Sequence, residues 1–349
     1  MMADANPLNR ILSPRSLGLV ALALMALLPL GANPYVLFVG TQLAIFVILA
    51  VGLNLLVGYC GQLAFSQAAL FGIGAYTAGL LKVHLGWSFL LTVPAGGLVA
   101  LIVGLAMAWP ALRLSGLYLA LATLAFAQFT QWVLLNWEKV TFGAGGFRLS
   151  RPEFGLASAE VGTFYLALLM AALLVVLASR IVRSRLGRAI IAIRDGEVAA
   201  ESLGVDLLRY KALAFGLSAL YAGLAGGLNA MALGYVAPET YDLFLAVLLK
   251  AMIVLGGLGS IAGSVAGAGI VLVILEGLRA FKSAQEIVFG AVLLSCVLFA
   301  PSGLAGYLAS HFSSWRERYL IDVKPAPEET AAPGDAGRTR DAAVSEAAR

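Results

Sequence analysis

The chain has 349 residues, 61% of them hydrophobic and only 12% charged, with a formal net charge of +4. A soluble domain is about half apolar and about a quarter charged, so this composition excludes a water-soluble globular protein and predicts a polytopic membrane protein. The mean hydropathy of +0.92 agrees, and the positive residues sit beside apolar runs, where they act as orientation signals rather than as a nucleic-acid surface.

Residues 1–16 are polar and carry Arg10 and Arg15 just before an apolar run at 17–30. A signal-peptide cut after Ala32 or Gly31 would put Leu30 or Pro29 at a position that needs a small residue, so the run is read as a retained first span. With roughly 20 apolar residues needed per crossing, further spans are predicted at 35–57, 62–81, 89–110, 116–137, 163–179, 212–232, 243–258, 264–278 and 286–300. The expected fold class is an all-α polytopic membrane protein with about eight to ten transmembrane helices. The stretch 62–81 is uneven, with Gln62, Ser66, Gln67 and Tyr76 among Gly72, Gly74 and Gly79. A broken or kinked helix is expected there, tolerated only where backbone is buried in protein or lines a watery cavity. The spans 243–258 and 264–278 are short and glycine-rich, and Gly259, Gly263 and Gly267 recur every four residues to offer a smooth packing face. Residues 17–306 form the predicted membrane domain, and from Val323 the tail within 307–349 lacks apolar periodicity and is expected to be disordered.

Placing Arg10 and Arg15 in the cytoplasm also puts Arg113, the charged segment 180–211 and Arg316/Arg318 there, and leaves the weakly charged loop 138–162 outside. That pattern satisfies the positive-inside rule, with Arg279 and Lys282 as exceptions, and predicts both termini in the cytoplasm.

There is no phosphate-binding GxxxxGK[ST] loop, no HExxH, no GxSxG and no pair of carboxylates in one span. Neither ATP hydrolysis nor another enzyme activity is predicted for this chain, and no bound cofactor. Cys60 and Cys296 have no CxxC spacing, and His84 and His311 stand alone, so no metal site is predicted either. Polar groups are costly inside a membrane and mark candidate transport paths. Asn54, Gln62, Ser66, Gln67, Gln128, Asn229 and Lys250 are the candidates for a translocation path, with Gln131 and Glu276 also inside predicted spans. The amides Asn54, Gln62 and Gln67 more often serve as hydrogen-bonding glue between helices, and Lys250 as a snorkelling cation or one paired with a buried carbonyl or carboxylate.

The segment 180–211 is the one long charged stretch between apolar spans. Within it GEVAAESLG predicts a short helix over 197–203, stopped at Gly204 by a left-handed cap. Val198, Ala199 and Leu203 fall on one side of it, with Glu197 and Glu201 on another. Such a helix fits a groove on a partner protein or lies on lipid.

Four stretches together resemble a known family: VGLNLLVGYCGQLAFSQAALFGIGAYTAGLL (51–81), SRLGRAIIAIRDGEVAAESLGVDLLRYKALAFGLSALYAGLAGGLNA (184–230), LLKAMIVLGGLGSIAGSVAGA (248–268) and FGAVLLSCVLFAPSGLAG (289–306). They are similar to the branched-chain amino acid ABC transporter permeases, in register from about residue 40 to 306, and to the M-type of the two homologous subunits. The resemblance implies an inner-membrane permease that pairs with a second permease, two ATPase subunits that use ATP and Mg, and a periplasmic substrate-binding protein. It also implies a coupling helix with an EAA-x3-G pattern. Val198-Ala199-Ala200 and Gly204 fit that pattern, with Val198 where the pattern has Glu. The implied ATPase-coupling residues are therefore Ala199, Ala200 and Gly204, with Arg194, Glu197 and Glu201 beside them. Ser66-Gln67 stands where the family often has Gly-His, and TFGAGG (141–146) where TGGxDG is common. Branched-chain amino acids or a related small polar solute are the expected cargo. The rival reading is a stand-alone secondary transporter or channel, which needs mid-membrane carboxylates, for which Glu276 is the single candidate.

Overall fold

A computed structural model describes residues 33–111, 113–114, 116–150 and 158–281, together with 25–27, 29, 287–288, 290–291 and 294. The predicted N-terminal segment, the tail and most of the first and last predicted spans lie outside the described residues. Helix α1 (Pro34–Asn54) runs into a wider π turn (Leu55–Tyr59). Then follow α2 (Gln67–Leu85), α3 (Phe89–Ala111), α4 (Leu117–Asn136), the short α5 (Glu138–Thr141) and β1 (Phe147–Arg148). The second half holds α6 (Ala159–Arg183), α7 (Arg185–Asp195), α8 (Glu197–Ser202), α9 (Leu207–Leu233), β2 (Tyr235–Val236), α10 (Leu243–Gly256) and α11 (Ile261–Gly277). Six of these helices are long and apolar enough to cross a membrane: α1 with its π turn, α2, α3, α4, α6 and α9. In hydrocarbon every backbone group must be satisfied within the chain, which is why such runs close into helices. Among the described residues the only sheet is the two-residue ribbon β1–β2, pairing Phe147 with Val236 and Arg148 with Tyr235.

Helix α9 is the axis of the bundle, buried along most of its length against α1, α2 and α3. Small residues set how closely these helices meet. A Cβ on Gly74 of α2 would land on the backbone of Gly223 in α9, and one on Gly96 of α3 would lie 2.6 Å from the Gly74 carbonyl oxygen. A Cβ on Gly226 would strike the Phe71 carbonyl oxygen of α2. The three backbones therefore touch with nothing between them, which maximises dispersion contact where no hydrophobic effect separates helix from lipid.

The expected break in 62–81 falls at the start of that stretch, before its glycines. Helix α2 is continuous from Gln67 to Leu85, and the irregular stretch is residues 61–65 before it. Gly72, Gly74 and Gly79 instead admit Tyr241, Gly223 and Phe147. A similar correction applies to the four-residue glycine repeat. Gly263 and Gly267 do face α10, at Gly256 and Met252, but Gly259 sits in the link with φ 76, where a left-handed backbone is required. Helices α10 and α11 have 14 and 17 residues, about 21 and 25 Å at 1.5 Å per residue. Both fall short of the roughly 30 Å hydrocarbon core. The charged segment 180–211 contains the end of α6, all of α7 and α8, and the start of α9. Likewise, the polar stretch 138–162 holds α5 and β1, and α6 starts before the predicted 163. Of the first predicted span, Met25 to Leu27 are helical, and the Tyr165 hydroxyl donates to the Ala26 carbonyl across 3.1 Å.

Candidate functional site

Two groups of polar residues stand out, one on the charged end of the bundle and one inside it. At the charged end Ser184 caps α7 by accepting from Gly187 N–H, and Asp206 caps α9 by accepting from Arg209 N–H. Helix α8 lies between them and closes as the glycine spacing predicts. Gly204 takes φ 82, its N–H donates to the Glu201 carbonyl at 2.9 Å, and Val205 N–H donates to that of Ala200 at 3.1 Å.

Three contacts tie this module to the membrane helices. Arg194 Nη1 donates to the Gly58 carbonyl at 2.6 Å, in the π turn that ends α1. Gly61 rests on the Arg194 side chain, where a Cβ would come within 3.2 Å of Cγ. Lys211, buried at the start of α9, forms a 2.7 Å ion pair with Glu197. Ala200 is buried and faces the bundle, whereas Val198 (79% exposed), Ala199, Glu201 and Leu203 (83% exposed) face outward. Of the sequence candidates, Arg194, Glu197 and Ala200 thus hold the helix down, and Ala199, Glu201 and Gly204 are open. Cys60 lies beneath, and burial pushes its thiol up to about 12.

Inside the bundle the candidates separate by partner. Asn54 is fully enclosed at the end of α1: its Nδ2 donates to the Ser260 carbonyl (2.9 Å) and to Ser264 Oγ (2.6 Å), and its Oδ1 accepts from Gly259 N–H (2.9 Å). This side chain ties α1 to the α10–α11 link. Gln67 exchanges two hydrogen bonds with Ser218 of α9, through its Nε2 to the Ser218 carbonyl and from Ser218 Oγ to its Oε1. Asn229 accepts from Gln42 at 3.3 Å. Gln128 is exposed beside Phe129 and Trp132 on the outer face of α4 and joins none of the others. Glu276 pairs with Arg279 at 2.9 Å near the end of α11.

Gln62, Ser66 and Lys250 come together along residues 61–66. Burial alternates there, with Gln62, Ala64 and Ser66 inward, Gly61 and Leu63 exposed, and Phe65 half-buried. Gln62 Oε1 and Ser66 Oγ are buried without a protein partner among the described residues. Lys250 Nζ donates to the Ala64 carbonyl at 2.6 Å and lies 3.2 Å from the centroid of the Phe65 ring, with no carboxylate partner among the described residues. Phe65 N–H donates to Thr123 Oγ1 of α4 at 2.9 Å. Thr123, Ser218 and Ser264 carry no signal in the sequence. Each is a common residue type whose partner is distant in the chain, so no local spacing could have marked it.

The Asn54 tie predicts a measurable loss. Asn54→Ala leaves Gly259 N–H buried without a partner and frees the link from α1, which costs about 1–3 kcal/mol. Thermal unfolding in detergent should show a lowered midpoint, and an unchanged midpoint would remove this role.

A bundle of membrane-crossing helices with inward polar groups and a pinned, charged helical module at one end is the architecture of a multi-pass membrane transport protein. The chain belongs to the branched-chain amino acid transport permease family, whose sequence model, described as "Branched-chain amino acid transport system / permease component", matches residues 35–297. It is 33% identical over 292 residues to the high-affinity branched-chain amino acid transport system permease protein LivM of Salmonella typhimurium, covering 76% of this chain and 69% of that one. Similarity to LivM of Escherichia coli is 32% over 317 residues, covering 83% and 75%. The corresponding LivH of Salmonella typhimurium is 29% identical over 292 residues, covering 75% and 91%. No solved structure matches.

Proposed function

We propose that this chain is one permease subunit of an ABC importer and carries branched-chain amino acids, or a related small polar solute, across the inner membrane. ATP and Mg are used by two partner ATPase subunits, not by this chain. The α7–α8 end faces the cytoplasm together with both termini. Similarity to LivM and LivH alike supports pairing with a homologous second permease, and a periplasmic binding protein delivers the solute.

The observation that carries this reading is the build of α8. It offers Val198, Ala199 and Leu203 to the outside while Arg194 and Glu197 fix it to α1 and α9. An exposed apolar face on a rigidly mounted helix is suited to seat in a partner groove and to transmit its motion. The energy for transport then comes from different contacts with two states of the ATPase pair. The rival, ion-driven reading has less support, because Glu276 is paired with Arg279 near a helix end. Affinity purification after co-expression with candidate ATPases tests the proposal. Expected are a stable complex and ATP-dependent leucine uptake in vesicles, whereas a transport-competent single chain would overturn it.

A further inference from the structure

Residues 61–66 have three properties that no packing role explains together. They join two membrane helices without regular structure, they are clamped from two other helices, and they leave buried oxygens unfilled. We propose that this segment is a gate across the solute path at the α7–α8 end, latched by Lys250 and drawn by Arg194. This rests on the proposed function above for the direction of coupling, but the latch itself is a property of this chain alone.

The clamps come first. Lys250 reaches from α10 to the Ala64 carbonyl, and Thr123 reaches from α4 to Phe65 N–H, at 2.6 and 2.9 Å. The Lys250 ammonium also covers the Phe65 ring, a favourable contact for a cation removed from water. A lysine inside a membrane span is costly, and one tied to a carbonyl and a ring rather than to a carboxylate is held by bonds that solvent replaces readily. Its natural role is to hold a segment in one position and release it.

Next come the inward side chains. Gln62 Oε1 and Ser66 Oγ find no donor among the described residues, whereas a buried oxygen in a protein is normally hydrogen-bonded. They lie on the buried side of an alternating segment, flanking Ala64. Releasing the segment brings these two oxygens to water and to a polar solute, which are the groups a path at this end has to admit.

The link to α8 is short. Arg194, two residues before Gly196 and the start of α8, holds the Gly58 carbonyl and packs on Gly61. A displacement of α7 and α8 therefore pulls on the residues that begin the gate. Arg194 acts here as a positioning residue and touches no solute.

Labelling tests the proposal on the full chain in inside-out vesicles. A Cys60→Ala, Cys296→Ser background carries either Ser66→Cys, which is buried, or Leu63→Cys, which is exposed, and a membrane-impermeant maleimide is the probe. Adding Lys250→Met is expected to speed labelling at position 66 by about tenfold or more, the effect of losing a hydrogen bond from a charged group. Thr123→Val should act in the same direction. Labelling at position 63 should stay constant and so report an intact fold. Unchanged labelling at position 66 in both variants would overturn the gate. In complex with the ATPases, ATP should speed labelling at position 66, and Arg194→Gln should abolish that response. A full response in Arg194→Gln overturns the Arg194 link alone. A failure of any ATPase to associate overturns the proposed function, and that link with it, while the Lys250 result stands.

Discussion

Replacing Gly226 with valine will leave little folded protein in the membrane. The position lies in the middle of α9, where an added Cβ meets the Phe71 carbonyl oxygen and comes within 2.7 Å of Ala75 nitrogen. Both atoms are helix backbone, so no side chain can rotate away, and α2 as a whole must move. One turn away the same helices touch at Gly74 and Gly223, and α3 joins them at Gly96, so the displacement also opens those contacts. Overpacking a core typically costs about 1–3 kcal/mol; separating three backbones in direct contact belongs at or above the top of that range. Monodisperse yield in detergent and the unfolding midpoint are the measurements. Gly277, where a Cβ meets nothing within 4 Å, provides the contrast: Gly277→Ala should behave as the parent does. If Gly226→Val matched it, the close-contact account of the bundle would fail.

The double variant Val198→Asp, Leu203→Asp should reach the membrane in normal amount and transport nothing. Both side chains are almost wholly exposed, so neither contributes to the fold. Two apolar contacts central to an interface are worth about 2 kcal/mol each or more, and their replacement by carboxylates lowers association by a thousandfold or so. The ATPase should therefore be lost on purification and uptake should fall to background. Arg180→Gln, exposed at the end of α6, should change neither. Retained ATPase and uptake in the double variant would place α8 on lipid headgroups, the other reading its sequence allows.

How much of this was legible in the sequence depended on whether the signal was local. The long spans are readable because a bilayer demands about twenty apolar residues in a row, and α3, predicted at 89–110, lies at Phe89–Ala111. The short helix before Gly204 was readable for the same reason, since a cap and an acidic first turn lie within eight residues. The site was less accessible. Asn54, Gln67 and Asn229 looked alike as polar groups in apolar runs, and only the fold distinguishes a triple tie to the α10–α11 link, a two-bond exchange with Ser218 and a partner for Gln42 and Tyr241. Gln128 shows the limit from the other side. A span that is apolar all round gives no phase, so nothing in α4 tells which face carries the glutamine. The break expected within 62–81 had no finer position in the sequence, since glycine loosens an isolated helix and this stretch has three beyond its start. In a packed bundle the same residue allows backbones to touch, and the irregular stretch fell at Gly61 to Phe65, where Arg194, Lys250 and Thr123 hold it.

The Asn54 tie also sets an order of events during synthesis. Asn54 and its partner Ser260 are separated by 206 positions, and a ribosome adds on the order of 5–20 residues per second. For roughly 10–40 s, then, α1 sits in the bilayer with a polar amide whose final partners have not yet been made. The two short helices that bring those partners are the least able to hold a transmembrane position unaided. Each side of the tie is thus poorly suited to lipid until the other arrives, and the nascent chain is most exposed to quality-control proteases in that interval.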